Sequence, residues 1–445
     1  MLKKHSNKKR SYYKQALLSQ ALLPHIQAIR LSLMNSTKNT KPVSIPTSIP
    51  TPYYLLDEAA IVANMQIIAR LCELSGAKAL LALKCFATWG VFDVMQPYLH
   101  GTTSSSLNEV RLGYETFGNN SADSNDEGND EDKKETHAYS VAYSVDEIDE
   151  VLSYADKIIF NSISQLNAFK DQAGAKNIPV GLRLNPKTSN SSFIIADPAR
   201  PFSRLGEHDK DKIAAVLAEI TGVMIHNNCE NDSFEAFSDS LADIEYRFGD
   251  VLAQLEWVSL GGGIHFIAPD YPLEKLATRL KDFSEKYDVQ VYLEPGEASI
   301  HGAGSLVTTV LDTMHNGKNL AVVDASIEAH MLDLLIYRES APIAAINEAL
   351  IDIVPADMAK TVDISDNTII YGRSCLAGDI FGEYALPNHL QVGDKIAFGN
   401  AAGYTMVKKN WFNGVNMPAI VIRRLDGNID VQREFDYQDY KASLS

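Results

Sequence analysis

The hydrophobic pattern of the chain is most informative at Ala79–Lys84, where a run of small and aliphatic residues ends in a lysine. An apolar run of this length without a helical period predicts a strand that is buried on both faces. Such a strand would deliver the Lys84 ammonium group to one rim of a sheet. A lysine at a strand end commonly extends its charge into solvent. A desolvated lysine instead has a lowered pKa, and its neutral amine can form a Schiff base with an aldehyde.

Similar apolar runs recur along the chain, and stretches with a helical period separate them. Counted from the first run, strands are predicted at 79–84, 101–104, 138–142, 158–161, 180–185, 222–226, 257–260 and 291–294. Eight strands that alternate with helices over roughly 220 residues are typical of a (β/α)8 TIM-like barrel, an α/β fold. A doubly wound sheet is the rival fold, but no G-x-G-x-x-G motif follows the first strand.

Two regions outside the predicted barrel have a different pattern of apolar and polar residues. Residues 46–57 contain a predicted strand, and beyond residue 305 short strand-like runs are separated by Gly, Asn, Asp and Pro. These features predict a mostly β domain built from 46–57 and 305–445, with a cofactor-binding barrel domain at 58–304. The stretch 119–135 carries seven acidic residues and almost no apolar ones. It is predicted to be a solvated insertion loop.

Residues 1–45 look like an addition to this fold. No Asp or Glu occurs before Asp57, and five of the first ten residues are Lys or Arg. A transit peptide is basic and poor in acidic residues in the same way. The stretch lacks a sustained apolar face, however, so a disordered or additional N-terminal tail is the favoured interpretation.

Composition limits the classes of function. The 445 residues are 45% apolar and 22% charged, with a formal net charge of −17. These values are ordinary for a soluble globular protein, and the acidic charge argues against a nucleic-acid partner. No apolar stretch is long enough to span a membrane. The four cysteines form no C-x-x-C pair, so neither a metal site nor a disulfide framework is predicted, and a cytoplasmic location is expected.

Candidate chemistry lies at the carboxyl ends of the predicted strands, where barrel enzymes place their active sites. The first strand ends in Lys84, the sixth ends in His226, and the eighth ends in Glu294, while Gly261–Gly263 follows the seventh. Glycine N–H groups can bind a phosphate closely, an imidazole can stack on a flat ring, and a carboxylate can keep a pyridine nitrogen protonated. Together with a Schiff-base lysine, these groups describe a site for pyridoxal 5'-phosphate. A protonated ring is a strong electron sink, which favours the loss of CO2 from a substrate's α-carbon.

Motifs spread over residues 51–418 carry a resemblance to a known family. In chain order they are TPYYLLDE (51–58), LLALKCF (80–86), GTTSSSLNE (101–109), NSISQ (161–165), SRLGEH (203–208), HNNCEN (226–231), WVSLGGG (257–263), LEPGEA (293–298), DASIEAHMLD (324–333), SCLAGD (374–379) and GYTMVKKNWFNG (403–414). In this order they resemble the carboxynorspermidine (carboxyspermidine) decarboxylases, which are fold-type III enzymes with an alanine racemase-like architecture. The resemblance implies a pyridoxal phosphate-dependent homodimer with shared active sites. Its reaction would convert carboxynorspermidine, carboxyspermidine or both to the corresponding polyamine.

The resemblance also implies which residues hold the cofactor. Lys84 would bind its aldehyde covalently, His226 would stack on its ring, and Glu294 would pair with the ring nitrogen. The phosphate would be held by four further residues, Gly262, Gly263, Gly296 and Tyr404.

Two residues of the second domain are implied to act across a dimer interface. Cys375 and Asp379 would reach the pocket of the partner subunit. There Cys375 would return a proton to the α-carbon after CO2 has left, and Asp379 would contact the substrate.

Glu297 bears most directly on the substrate. Ornithine and diaminopimelate decarboxylases carry EPGR where this chain has EPGE at 294–297. An anion in place of a cation suits a polyamine tail and disfavours a distal carboxylate. Asp333 would be the second anion for that tail, although either residue could also be a plain surface carboxylate. Two rival functions stay open: a diaminopimelate or other basic amino-acid decarboxylase, and a non-catalytic pyridoxal phosphate carrier.

Overall fold

The structure is a computed structural model that describes residues 45–46, 48–117, 133–191, 193–347, 349–353 and 367–445. Eight parallel strands close into a barrel in the order in which the chain supplies them. The predicted (β/α)8 barrel is therefore confirmed, and the doubly wound sheet is excluded. With strands numbered from β1 (Tyr53–Asp57), the barrel contains β2 (Lys78–Ala82), β3 (Gly101–Ser104), β4 (Glu135–Ser140), β5 (Lys157–Phe160), β6 (Val180–Arg183), β8 (Gly222–Met224), β10 (Trp257–Ser259) and β11 (Gln290–Leu293).

Helices alternate with these strands and cover the outside of the barrel. They are α1 (Glu58–Ser75), α2 (Phe92–Met95), α3 (Leu107–Thr116), α4 (Ile148–Tyr154), α5 (Ile163–Ala175), α6 (Lys210–Val216), α7 (Phe234–Leu252) and α8 (Leu273–Tyr287). Five of them begin after a residue whose side chain accepts bonds from N–H groups of the first turn, namely Asp57, Ser106, Ser162, Asp209 and Ser233. These caps satisfy N–H donors that the helix itself leaves free, and they fix the residue at which each of these helices begins.

The barrel interior is filled by side chains that form their own buried cluster, with Trp257 as its largest member. A Cβ atom at Gly181 or at Gly222 would overlap the indole ring of Trp257. The two neighbouring strands therefore carry glycine where the ring crosses the interior. The indole N–H donates to Thr221 Oγ1 at 3.0 Å, which satisfies the only polar atom of the ring.

The remaining large sheet contains ten strands and packs beyond the barrel. It consists of β1 together with β12 (Gly304–His315), β13 (Asn319–Val323), β14 (Ile343–Ile346), β15 (Ala349–Ile353), β16 (Thr368–Tyr371), β17 (Ile380–Tyr384), β18 (Lys395–Phe398), β19 (Ala419–Arg423) and β20 (Ile429–Arg433). In this sheet β1 is antiparallel to β12 and parallel to β19. The first described strand is thus a central strand of the predicted mostly β region.

Short elements complete the described chain. They are the two-stranded sheet of β7 (Asn190–Ser191) and β9 (Asn228–Cys229), the helices α9 (Glu297–Ile300), α10 (Ile327–His330), α11 (Leu332–Tyr337) and α12 (Tyr437–Ala442), and 3-10 turns at Trp89–Val91, Gln96–Tyr98, Leu217–Glu219, Met406–Lys408 and Phe412–Gly414. The helices of the described residues include none long and apolar enough to cross a membrane.

The division into domains at 58–304 and at 46–57 with 305–445 stays a prediction, because strand pairing alone does not define a domain boundary. The predicted tail lies outside the described residues except at its last position, and most of the predicted acidic loop also lies outside them.

Candidate active site

A cavity of about 740 Å³ opens at the carboxyl ends of the barrel strands. One side is formed by residues that follow barrel strands, among them Lys84, His226 and Glu294. The other side comes from the second region of the chain, around Asp333 and Tyr404. The cavity therefore contains most of the residues that the sequence singles out.

Lys84 lies in a turn just past β2 and not at its last position. Leu83 N still donates to Thr103 O on β3 at 3.0 Å, and Cys85 N then turns back to Ala82 O at 3.0 Å. The turn presents the Lys84 side chain to the cavity. Burial lowers the pKa of Lys84, the Glu294 carboxylate opposes that shift, and the Arg183 guanidinium adds to it. The lowered pKa makes the neutral amine, the form that attacks an aldehyde, easier to reach.

His226 also follows its strand by two residues and lines the same cavity. Its Nδ1 atom is buried and has no hydrogen-bond partner among the described residues. Gly261 lies so close to the ring that a Cβ atom there would overlap it, and its φ of +67° also favours glycine. Burial lowers the pKa of His226 well below its usual range, and the charges of Lys84 and Arg183 lower it further. The imidazole is therefore neutral, which suits a ring that stacks on another ring.

Glu294 is held at the edge of the barrel by the strand next to it. Its side chain is only 5% exposed, and Oε1 accepts a hydrogen bond of 2.5 Å from Ser259 Oγ. Ser259 Oγ in turn accepts from Gly261 N at 3.2 Å. A buried carboxylate needs a donor, and this chain of contacts fixes its position beside the cavity.

The glycine-rich turns leave backbone donors available. The N–H groups of Gly262, Gly263 and Gly296 have no acceptor within the described parts of the chain. A Cβ atom at Gly262 would overlap Glu294 O, and one at Gly263 would overlap Asn228 O. Only glycine allows the Gly261–Gly263 turn to lie this close to the backbone at Glu294 and at Asn228. Three free N–H groups at one rim fit an anion such as phosphate.

The other wall of the cavity is joined to the Lys84 turn by the backbone. Tyr404 N donates to Cys85 O at 2.8 Å, and Tyr404 has a positive φ of 56°. The Lys408 ammonium lies 5.2 Å from the centroid of the Tyr404 ring. Burial raises the pKa of Tyr404 well above its usual range, so its hydroxyl stays protonated and can donate to an anion.

Glu297 begins the short helix α9 and faces both sides of the cavity. Its Oε2 lies 3.8 Å from Cys85 Sγ, and Oε1 lies 3.9 Å from His301 Nδ1. A Cβ atom at Gly403 would overlap Oε2, so glycine at this position lets the carboxylate lie directly against the backbone. The Cys85 thiol is protonated because burial and the Glu297 charge raise its pKa. Among the described residues, Glu297 forms no ion pair with a lysine or an arginine, although Lys84 and Lys408 line the same cavity.

Asp333 lies in the same cavity, and its carboxylate accepts more hydrogen bonds than that of Glu297. Both carboxylate oxygens accept from Thr405 Oγ1, at 3.1 and 3.0 Å. Burial raises the pKa of Asp333, and the Lys408 charge opposes that shift.

Cys375 and Asp379 are absent from the lining of this cavity. Cys375 is exposed beside a separate cavity of about 330 Å³, and its backbone N–H donates to Asn413 Oδ1 at 2.6 Å. Asp379 is 1% exposed, and its two oxygens accept from Ile327 N at 2.8 Å and Ser374 N at 2.9 Å. Asp379 therefore fixes the loop that presents Cys375, and the role of both residues in a partner's pocket stays a prediction.

Two charged residues beside Lys84 are missing from the sequence-based site. Arg183 is 5% exposed at the end of β6, donates to Tyr139 OH at 2.6 Å, and contributes to the low pKa of Lys84. Its signal in the sequence is an arginine that ends a buried strand. Glu109 accepts from Ser105 N at 2.6 Å and lies near enough to Lys84 to influence its charge. The sequence gives no such signal for Glu109, because Ser106-x-x-Glu109 is the ordinary signature of a helix N-terminus.

These residues fit pyridoxal phosphate. The cavity offers an amine with a lowered pKa, a neutral imidazole with an unpartnered ring nitrogen, a carboxylate fixed by Ser259, and a set of free backbone N–H groups. These groups match, in order, an aldehyde, an aromatic ring, a ring nitrogen and a phosphate.

Comparisons with known proteins agree with this geometry. A family model described as "Pyridoxal-dependent decarboxylase, C-terminal sheet domain" matches residues 53–402. A carboxynorspermidine/carboxyspermidine decarboxylase of Herminiimonas arsenicoxydans is 54% identical over 397 residues, which cover 89% of this chain and 100% of that protein. A carboxyaminopropylagmatine decarboxylase of Synechocystis is 33% identical, over 89% of this chain and 96% of that protein.

A solved structure gives the same result. The crystal structure of carboxynorspermidine decarboxylase from Campylobacter jejuni in complex with norspermidine has a TM-score of 0.76 and 35% sequence identity. The match covers 89% of this chain and 100% of that chain. The chain therefore belongs to the carboxynorspermidine/carboxyspermidine decarboxylases, within the pyridoxal-dependent decarboxylase family.

Proposed function

We propose that this enzyme decarboxylates carboxynorspermidine, carboxyspermidine or both, to form norspermidine or spermidine in polyamine biosynthesis. The observation that carries the proposal is Glu297, an anion in the cavity that no lysine or arginine side chain of the described residues neutralises by an ion pair. A substrate with ammonium groups beyond its amino-acid head supplies the missing positive charge. The relatives named for these substrates and the related crystal structure with norspermidine support the same substrate class.

Each residue of the site has a proposed task. Bound pyridoxal phosphate supplies the sink for the electron pair of the breaking bond between the α-carbon and the carboxylate. Lys84 provides the amine that holds the cofactor aldehyde, and Glu294 hydrogen-bonds the ring nitrogen from its position fixed by Ser259. His226 packs against the ring face.

The remaining site residues have tasks at the phosphate and at the substrate. The N–H groups of Gly262, Gly263 and Gly296 bind the phosphate together with the Tyr404 hydroxyl. Asp333 adds negative charge to the substrate side of the cavity.

Rival substrates differ in the charge of their far end. Diaminopimelate carries a distal carboxylate, which Glu297 repels. Carboxyaminopropylagmatine ends in a guanidinium group, which Glu297 does not reject on charge alone. A substrate panel therefore has to include all three classes.

The decisive experiment measures CO2 release from this panel by wild type and by Glu297→Gln. The variant keeps the shape and removes the charge that pairs with an ammonium group, so kcat/KM for carboxynorspermidine should fall about 30- to several-thousand-fold. Cofactor absorbance should be unchanged. Glu285→Gln, an exposed change on α8, is the matched control. Unchanged turnover in Glu297→Gln, or preferred use of diaminopimelate by wild type, would contradict the proposal.

We also propose that the working unit is a homodimer in which Cys375 completes the partner's site and returns a proton to the α-carbon. Within one chain, Cys375 lies beside a different cavity from Lys84, which supports a role outside its own pocket. Mixing inactive Lys84→Ala chains with inactive Cys375→Ala chains should restore activity, because hybrid dimers contain one intact site. A mixture of Lys84→Ala with Lys84→Met chains is the control and should stay inactive. Failure of the first mixture after subunit exchange would rule out shared sites.

A cytoplasmic location is proposed on the state of the cysteines. Cys72, Cys85, Cys229 and Cys375 are all unpaired, and Cys85 lies next to the Schiff-base lysine. Free thiols are the usual state in a reducing compartment.

A further inference from the structure

Two histidines at the substrate side of the cavity have no task in the site described so far. The rings of His265 and His301 meet edge to face, with centroids 4.5 Å apart and planes inclined by 82°. Both residues line the cavity. His301 Nδ1 is 3.9 Å from Glu297 Oε1, on the side of the carboxylate that faces away from Cys85. A continuous row of contacts therefore runs from Cys85, beside the reactive lysine, through Glu297 to the two imidazoles.

The backbone around His301 is fixed by three separate elements. His301 N donates to Glu297 O at 2.8 Å, and Asn64 Nδ2 on α1 donates to His301 O at 2.9 Å. The next residue, Gly302, donates its N–H to Asn400 Oδ1 at 2.9 Å. The backbone that carries the imidazole is thus fixed before any substrate binds, and the ring itself packs against His265. This lowers the entropic cost of a contact made with it.

The second ring, His265, is fixed as well and is kept neutral. Its backbone N–H donates to Asn231 O at 2.8 Å. Burial lowers the pKa of His265, His301 lowers it further, and the carboxylates of Glu297 and Asp232 oppose the shift. A neutral imidazole offers a lone pair, and nearby carboxylates make that position favourable for a cation.

We propose that His301, supported by His265, is a specificity-determining residue that accepts a hydrogen bond from the terminal ammonium of the substrate's aminoalkyl tail. Glu297 then takes the secondary ammonium, which lies between the tail and the amino-acid head. This assignment rests on the proposed function and deepens it. Asp333 is less suited to the terminal ammonium, because Thr405 already bonds both of its oxygens and the Lys408 ammonium lies nearby.

The test compares two substrates that differ only in the tail. Carboxynorspermidine contains the tail, whereas 2,4-diaminobutyrate has the same head with a free amine in place of the aminopropyl group. In His301→Leu the ratio of kcat/KM for the first over the second should fall about 10- to 100-fold, the usual loss for one hydrogen bond to a charged group. The loss should appear in KM, with kcat within about twofold of wild type. His301→Gln keeps an acceptor and should recover part of the ratio. His315→Leu, an exposed change at the end of β12, should leave it unchanged.

A binding measurement makes the test independent of turnover. Calorimetric titration of the cofactor-loaded enzyme with norspermidine and with 1,3-diaminopropane should show that His301→Leu weakens only the longer amine. Glu297→Gln should weaken both amines, because both contain the amine that it binds. If His301→Leu changes neither ratio while wild type decarboxylates carboxynorspermidine, the tail contact is wrong and the proposed function stands. If wild type neither turns over nor binds the tailed compounds, the proposed function fails and this inference fails with it.

Discussion

The two ends of the barrel use buried charge in opposite ways. At the amino ends of the strands, Glu135 accepts hydrogen bonds from Lys78 and Lys157 at 2.5 Å, from His137 at 2.9 Å, and from the Tyr292 hydroxyl at 2.9 Å. The carboxylate is surrounded by donors from neighbouring strands. This end of the barrel has little capacity left to bind a ligand.

At the carboxyl ends, polar groups keep unused capacity. His226 has an unpartnered ring nitrogen, Lys84 has a lowered pKa, and Glu297 lies beside a thiol, a glycine and an imidazole but forms no ion pair with a lysine or arginine of the described residues. Such an arrangement lowers the stability of the free protein, and ligand binding restores the lost stability. The Glu135 carboxylate is therefore fully engaged at the structural end of this barrel, although His137 Nδ1 beside it is buried without a partner among the described residues. Incompletely paired groups that line a cavity mark the functional end.

The largest effect is expected from Lys84→Ala at the functional end. Removing the amine that holds the cofactor should lower kcat/KM by about three orders of magnitude or more. The melting temperature of the apoprotein should change little. Borohydride treatment of the pyridoxal phosphate-loaded wild type should fix the cofactor to the peptide that contains Lys84. The exposed substitution Lys281→Ala is the control, and labelling at another lysine would contradict the assignment.

At the structural end, Glu135→Gln should lower stability and leave activity unchanged, the reverse of the effect expected for Lys84→Ala. The substitution leaves Lys78 and Lys157 without their shared anion, and the free energy of unfolding should fall by about 2–3 kcal/mol, less than for a fully buried pair because Lys78 is partly exposed. Urea unfolding at pH 7 measures this loss. Activity per folded molecule should be unchanged, and a large fall in kcat without a loss of stability would remove the contrast between the two ends.

The same residue gives a pH dependence of known sign. Burial alone would raise the pKa of Glu135, but hydrogen bonds and charges from His137 and Lys157 outweigh it and hold the pKa far below its usual range. A lowered pKa contributes stability that is present above the unfolded-state value of about 4.3 and is lost as the pH falls below it. The stability difference between wild type and Glu135→Gln should therefore be largest near neutral pH and shrink below about pH 4. A difference that grows on acidification would contradict this account.

The smallest effect concerns a residue that positions another. Ser259→Ala removes the hydrogen bond of 2.5 Å to Glu294 and should lower kcat/KM about tenfold, with a weaker affinity for pyridoxal phosphate. Overall stability should change little. An altered absorption band of the bound cofactor would identify a positioning role, which packing loss alone would not produce. Ser153→Ala, at an exposed position of α4, is the matched control.

Much of the barrel could be predicted because the local sequence pattern determines where its strands and helices lie. Apolar runs without a helical period specify the eight strands, and Lys84, His226 and Glu294 share one rim because each follows a parallel strand. The predicted start of the third barrel strand at residue 138 is wrong, since β4 begins at Glu135. The polar residues Glu135 and His137 resemble loop in the sequence, but cross-strand bonds hold them within the barrel.

The rest of the site depends on contacts between residues far apart in the chain. The burial of Arg183 beside Lys84 and the meeting of His265 with His301 follow from packing and not from local pattern. Asp379 shows the same limit. Its motif predicts a substrate contact, which stays a prediction, and gives no sign that both oxygens accept backbone bonds from its own chain.

The position of β1 sets the order in which the molecule can assemble. Its last residue, Asp57, is bonded at 3.0 Å to Arg423, a residue 366 positions later, and β1 forms a parallel ladder with β19. During synthesis every barrel strand leaves the ribosome before β19 has been made. The barrel can therefore close by pairing neighbours in sequence, while β1 keeps one edge open until nearly the whole chain is available. The large sheet is the last part to be completed, and a nascent chain stopped before residue 419 would expose the edge of β1 to non-native pairing.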